Sequence, residues 1–283
     1  MYKLIIIFML IITCLNSTNL FKLEVENNSA SDTINANGTD GVIILEYHTV
    51  TDTPDVDSVQ YNVKPSDFSA QLDYLHELGY NTITTLEYMK AVRGKLTLPE
   101  NPIILTFDDG YENNYTEMLP ILEAHGMKAV VYVITNEIGK PGYLNVEQLR
   151  QMQRRGVEIG SHTANHRPLI GLSRVELEHE IGDSKTFLEW NGIDTVYSLS
   201  YPNGAYEDKV VEVLKSKNYL TAVTGDAGLN VFDTDPFKLQ RVNIPQPHFG
   251  LFEFKMRLLK ANLLTKLGIN QHRQLKLDKT KNN

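Results

Sequence analysis

From residue 41 onward, short apolar runs alternate with segments whose apolar positions recur every three or four residues. "GVIILEY" (41–47), "IILTF", "KAVVYVI", "VEIGS", "VYSLSY", "YLTAVTG" and "KLQRVNI" are short and apolar or mixed, as strands of a covered sheet are, and "YNTITT" adds another. Helical periodicity fills the gaps. "KPSDFSAQLDYLHELG" puts Phe68, Leu72, Leu75 and the nearby Leu78 on one face, with Ser66 as the expected cap and Gly79 as the stop. "LEYMKAV" predicts a short helix, and "YTEMLPILEAHG" a helix bent by Pro120. "NVEQLRQMQRRG" turns Leu149 and Met152 inward, and Ser173 with Glu176 forms a capping box at the head of "LSRVELEHEIGDSKTFLEWNG". "YEDKVVEVLKSKN" and the terminal "LFEFKMRLLKANLLTKLG" complete the set. This alternation predicts a parallel sheet. Seven or eight such units in about 230 residues fit a distorted (β/α) barrel better than an open sheet, although periodicity alone leaves a doubly wound sheet open.

The ends of the chain read differently. "MYKLIIIFMLIITCLNSTN" has one Lys followed by an apolar block from Leu4 to Ile12, the layout of a secretory signal and short for a membrane span of about 20 residues. Residues 1–23 are therefore expected to be a signal peptide or membrane anchor. "IITC" loosely resembles a lipoprotein cleavage box at Cys14, with Thr13 a poor residue before it. Residues 24–40 are polar and predict a flexible spacer, residues 41–269 the folded domain, and residues 270–283 a basic tail carrying Arg273, Lys276, Lys279 and Lys281. The expectation is an exported protein, extracellular or tethered at the cell surface, with contact to membrane or wall through its N-terminal segment. Of 283 residues, 42% are hydrophobic and 22% charged, ordinary for a globular domain. The formal net charge of -8 argues against nucleic acid as a partner, and the single Cys14 excludes an intrachain disulfide. A monomer is expected.

In βα folds the ends of strands carry the chemistry. His48 follows the first run, Asp108 and Asp109 follow "IILTF", His162 and His166 follow "VEIG", Tyr201-Pro202-Asn203-Gly204 follows "VYSL", and Asp226 follows "LTAVTG". Two histidines four apart share one metal if their segment is helical, yet eight histidines in the chain also produce close pairs by chance. "DDG" alone is more often a turn than a site. Together, two histidines and a carboxylate at strand ends suit an open zinc site with a position left for water.

"TFDDG", "SHTANH" and "YPNG", in this order, resemble the polysaccharide deacetylases, the NodB-homology domain or carbohydrate esterase family 4, from about Leu98 to Ile244. The resemblance implies a distorted (β/α) barrel that removes acetyl groups from sugars with a divalent metal, usually zinc. It implies Asp109, His162 and His166 as metal ligands, Asp108 as the base that takes a proton from metal-bound water, and the backbone N–H of Asn203 as oxyanion donor. Two features depart from the family. Ser200 stands where an Arg commonly steadies the base, and Arg241 is the candidate to supply that charge from another strand. The late L-x-H that provides the acid is missing. "LEYHTV" and "LSYPNG" resemble a subgroup with permuted barrel order, the exported poly-β-1,6-N-acetylglucosamine deacetylases, which implies His48 as the acid ahead of His248. By the same resemblance Asp226 orients the acid histidine, or else caps a loop. Thr163 is expected to brace the histidine loop, and Tyr47, Tyr201 and Pro202 to line the substrate groove unless they serve packing. Trp190 is expected in the core rather than as a sugar platform.

The expected activity is N-deacetylation of N-acetylglucosamine units in an extracellular polymer, poly-β-1,6-N-acetylglucosamine first and peptidoglycan second. An O-acetyl esterase and a glycan-binding barrel with weakened catalysis stay open. A glycoside hydrolase fits less well, because two adjacent carboxylates do not readily flank a glycosidic bond.

Overall fold

In the computed structural model, which describes residues 41–56 and 58–266, the apolar runs become one curled sheet of eight strands. The expected leader, the spacer up to residue 40 and the basic tail lie outside the described residues. The sheet comprises β1 (Ile43–Tyr47), β4 (Asn81–Thr82), β5 (Pro102–Phe107), β6 (Val130–Val133), β7 (Glu158–Ser161), β8 (Ser198–Ser200), β9 (Thr221–Val223) and β10 (Val242–Asn243). Its order is β10-β1-β5-β6-β7-β8-β9, with β4 beside β5, and every pairing is parallel. β2 (Thr49–Val50) and β3 (Asn62–Val63) pair separately. This is the distorted (β/α) barrel, and a doubly wound sheet is excluded. The stretch from Leu239 to Ile244 is held by both edges of the curl. Leu239 N–H donates to Ala222 O of β9 at 3.1 Å, and Ile244 N–H donates to Glu46 O of β1 at 2.9 Å. Arg241 is thereby carried into the middle.

The central strands are buried on both faces and divide their side chains between two cores. Ile43, Leu45, Tyr47, Ile103, Leu105 and Phe107 belong to the larger cluster, whereas Ile44, Ile104, Val130 and Tyr132 belong to the smaller. Period two then fixes which side each later residue takes. Glu46 and His48 continue the side of Ile44, and Thr106 and Asp108 continue that of Ile104. Gly160 of β7 lies close under Tyr132, since a Cβ there would come within 2.4 Å of that ring.

Helices cover the sheet: α1 (Pro65–Glu77), α2 (Thr85–Val92), α3 (Leu119–Ala124), α4 (Val146–Arg154), α5 (Arg174–Leu177), α6 (Ser184–Trp190), α7 (Asp208–Ser216) and α8 (Leu251–Lys266). Several expectations need correction. α1 starts at Pro65 with Lys64 as cap, because proline's fixed φ and missing N–H suit the first helical position, so Ser66 lies inside the first turn. Leu78 is the C-cap and largely exposed. The helix around Pro120 opens as a π-helical turn over Asn114–Met118 instead of simply bending. Trp190, expected in the core, is 87% exposed, because the last turn of α6 presents it on the outer side of the helix.

Candidate active site

Adjacent residues on a strand point apart, yet both Asp108 and Asp109 line one cleft of roughly 270 Å³ at the C-terminal rim of the sheet. The backbone resolves the conflict. Asp108 still obeys the alternation of β5, whereas Asp109 has φ 75°, a left-handed conformation that swings its carboxylate back toward the same cleft. Thr163 (φ 68°), His166 (φ 57°) and Asn203 (φ 56°) share that rare conformation for non-glycine residues. Such strain is held only where the surroundings enforce it, and here it gathers at the cleft.

The histidine loop is not helical. Its curled backbone brings the two rings to a centroid separation of 4.7 Å. Thr163 Oγ1 accepts from His166 N–H at 3.0 Å, which braces the loop. His162 Nδ1 lies 2.8 Å from Ser200 O. A carbonyl only accepts, so Nδ1 carries the proton and Nε2 presents its lone pair to the cleft. His162 Nε2 and His166 Nε2 stand 3.4 and 3.6 Å from Asp109 Oδ1. Ligands about 2.0–2.1 Å from a tetrahedral zinc lie about 3.3–3.4 Å apart, so this donor set fits such an ion. A second group, Glu46, His48 and Asp108, is equally compact. There the Arg241 guanidinium already serves both carboxylates, and a further cation would meet like charge.

Asp108 is held by a two-pronged clamp. Arg241 Nη1 and Nη2 donate to its two oxygens at 2.8 Å each, and Ser200 Oγ donates to Oδ2 at 2.9 Å. Arg241 Nη2 also donates to Ser200 Oγ at 3.1 Å, and Nε to Thr224 O at 2.9 Å. Burial pushes the Asp108 carboxyl up, but Arg241 and then His162 outweigh it and hold it well below the usual carboxylate range. Burial and the opposing charge of His162 act likewise on Asp109, with a net lowering. His162, whose burial disfavours charge, is drawn up by Asp108 and Asp109; His166 is pushed down by burial and by His162. Tyr111, another lining residue, is pushed up by burial and by Asp109 beside it.

His48 lines the cleft and stacks on Tyr61 at 4.7 Å, whereas His248 is exposed and is not among the lining residues. The carboxylate beside His48 is Glu46, 4.0 Å from its Nε2 and 3.5 Å from Arg241 Nη2. Sequence reasoning missed it, though two residues before His48 on one strand is the spacing that shares a face. Asp226 also reaches the cleft, where its carbonyl accepts from Arg241 N–H at 2.8 Å. Asn203 lines the cleft.

The groove aromatics behave differently from expectation. Tyr47 is wholly buried on the opposite side of β1, and its hydroxyl donates to Gln71 Oε1 at 2.9 Å. Tyr47→Phe is therefore expected to leave kcat and KM unchanged and to cost about 1 kcal/mol in denaturant titration, the net worth of one buried hydrogen bond. A raised KM would return the ring to the groove. Tyr201 touches the cleft wall but is wholly buried, donating to Phe237 O at 3.0 Å, and Pro202 is buried away from the lining.

Residues 95–222 match the family model described as polysaccharide deacetylase, and the chain belongs to that family of hydrolases, whose relatives carry N-deacetylase names. It is 31% identical over 201 residues to YxkH of Bacillus subtilis (strain 168), named as a polysaccharide deacetylase, covering 71% of this chain and 70% of that one. It is 32% identical over 141 residues to the poly-beta-1,6-N-acetyl-D-glucosamine N-deacetylase of Escherichia coli (strain K12), covering 44% of this chain and 21% of the relative. The solved Streptococcus pyogenes deacetylase PplD, in complex with acetate, matches with a TM-score of 0.71 at 26% identity, over 78% of this chain and 97% of that one.

Proposed function

We propose that the protein is an exported, metal-dependent N-deacetylase acting on N-acetylglucosamine units of an extracellular polysaccharide, poly-β-1,6-N-acetylglucosamine first and peptidoglycan second. The observation that carries this reading is the placement of an Arg-clamped carboxylate, Asp108, against the Asp109–His162–His166 donor set, with His48 lining the same cleft. Asp109, His162 and His166 would hold a Zn²⁺ ion, which would acidify a water toward neutral pH and polarise the acetyl carbonyl. Asp108, kept anionic by Arg241, accepts the proton given up as the water attacks. The Asn203 N–H donates to the carbonyl oxygen as it gains charge, a contribution of about 3 kcal/mol for such donors. His48 protonates the leaving nitrogen, and Glu46 steadies its ring. Residues 41–269 form the catalytic domain on this reading, behind a leader or anchor and a polar spacer.

The test is acetate release from β-1,6- and β-1,4-linked N-acetylglucosamine oligomers by chelated and zinc-reloaded protein. Chelation is expected to abolish release, zinc to restore it, and the β-1,6 oligomer to be preferred. Release from acetylated xylan but from neither oligomer would make the protein an O-acetyl esterase, and full activity after chelation would remove the metal from the mechanism.

A further inference from the structure

We propose that the flank behind the histidine loop is a second glycan site, taking one or two pyranose rings of the polymer beyond the residue being deacetylated. A hollow of roughly 340 Å³ is bounded there by Asn136, Ala164, His179, Asp183, Phe187 and Trp190. Trp190 and Phe187 are 87% and 39% exposed, and they follow Asp183 at helical spacing along one stripe. Together the two rings make a contiguous apolar patch rimmed by polar side chains, the kind of surface that marks a ligand groove.

The surrounding chemistry selects the partner. A pyranose ring has an apolar C–H face that packs on an aromatic ring and a rim of hydroxyls that needs donors and acceptors. Beside the aromatics stand the Asn136 amide, which donates to Asn165 Oδ1 at 2.6 Å, and the His179–Asp183 pair at 2.6 Å. The hollow and the cleft are lined from one and the same histidine loop. Ala164 lines one and His166 the other, and Thr135 and Asn136 N–H groups donate to Thr163 O and Ala164 O at 3.1 Å each. The exposed Asn165, between Ala164 and His166 in the chain, and its partner Asn136 offer amides beside the hollow. The inference rests on the proposed reading that a glycan occupies the cleft.

Trp190 is the chain's one tryptophan, so its emission reports on this site directly. Titrating the full chain with β-1,6- or β-1,4-linked N-acetylglucosamine hexamers is expected to shift and saturate that emission. Trp190→Ala and Phe187→Ala are expected to raise KM for the hexamer about five- to tenfold at unchanged kcat, with turnover of the disaccharide untouched. A saturable shift with hexamer in protein that releases no acetate would keep this site and sink the deacetylase reading. Unaltered emission at hexamer concentrations that saturate turnover overturns the proposal. So does a shift with lipid vesicles and none with glycan, which assigns the face to a membrane.

Discussion

Asp108→Asn is expected to lower kcat by about 10²–10⁴ in zinc-loaded protein without loss of the ion, whereas Asp109→Asn is expected to lose the ion and the activity together. The two side chains are neighbours in sequence but not in role. Asp109 Oδ1 is the atom that both histidine Nε2 atoms face, so an amide nitrogen or a weakly donating amide oxygen there removes the anionic ligand. Asp108 faces Arg241 and Ser200 with most of its lone pairs, and its Oδ2 lies 3.8 Å from His162 Nε2, close to where the ion would sit. Zinc analysis on dialysed variants separates the two. Equal zinc loss in both would merge the roles, and wild-type kcat in Asp108→Asn would leave the site without its base. The pH dependence has a fixed sign. Asp108 is held below its unfolded value of about 3.9, so its clamp contributes stability that is fully present above that value and is lost as pH falls through the folded pKa. Asp108→Asn should therefore flatten the acid side of a stability-versus-pH profile.

Much of this was legible in the chain. Nearly continuous apolar runs such as "IILTF", alternating with helices, mark a parallel sheet covered on both faces, and strand ends then gather at one rim whatever the order of strands. That logic found His48, Asp108, Asp109, His162, Asn203 and Asp226 as neighbours without a contact map. It failed where tertiary context decides. Tyr47 and Glu46 are adjacent, and only knowing which face of β1 meets the cleft shows that the glutamate belongs to the site and the tyrosine to the core. The histidine spacing suggested a helical turn, whereas left-handed backbone at Thr163 and His166 does the work through a loop. Trp190 has the size and apolarity of a core residue, and nothing in its local pattern marks the outer stripe of α6.

On the proposed reading, topology replaces a missing motif residue at Arg241. The segment from Leu239 to Ile244 spans from β9 to β1, and this puts a guanidinium beside Ser200, where relatives are expected to carry an arginine on the strand itself. Arg241→Met is expected to destabilise the protein by about 3–5 kcal/mol, because it strands the buried carboxylate of Asp108 and the half-buried one of Glu46 without their cation. It should also cost most of the activity, since an unclamped Asp108 both moves and loses the charge that keeps it ionised. Arg241→Lys keeps a charge but not the fork, so it should recover part of the stability and little of kcat. The decisive measurement is a double-mutant cycle in chemical denaturation. Combined with Asp108→Asn, Arg241→Met should cost less than the sum of the single changes by about 1–3 kcal/mol, because each already removes the other's partner. Strict additivity would mean that the clamp is not what holds the base, and the case for Arg241 as the replacement would fall with it.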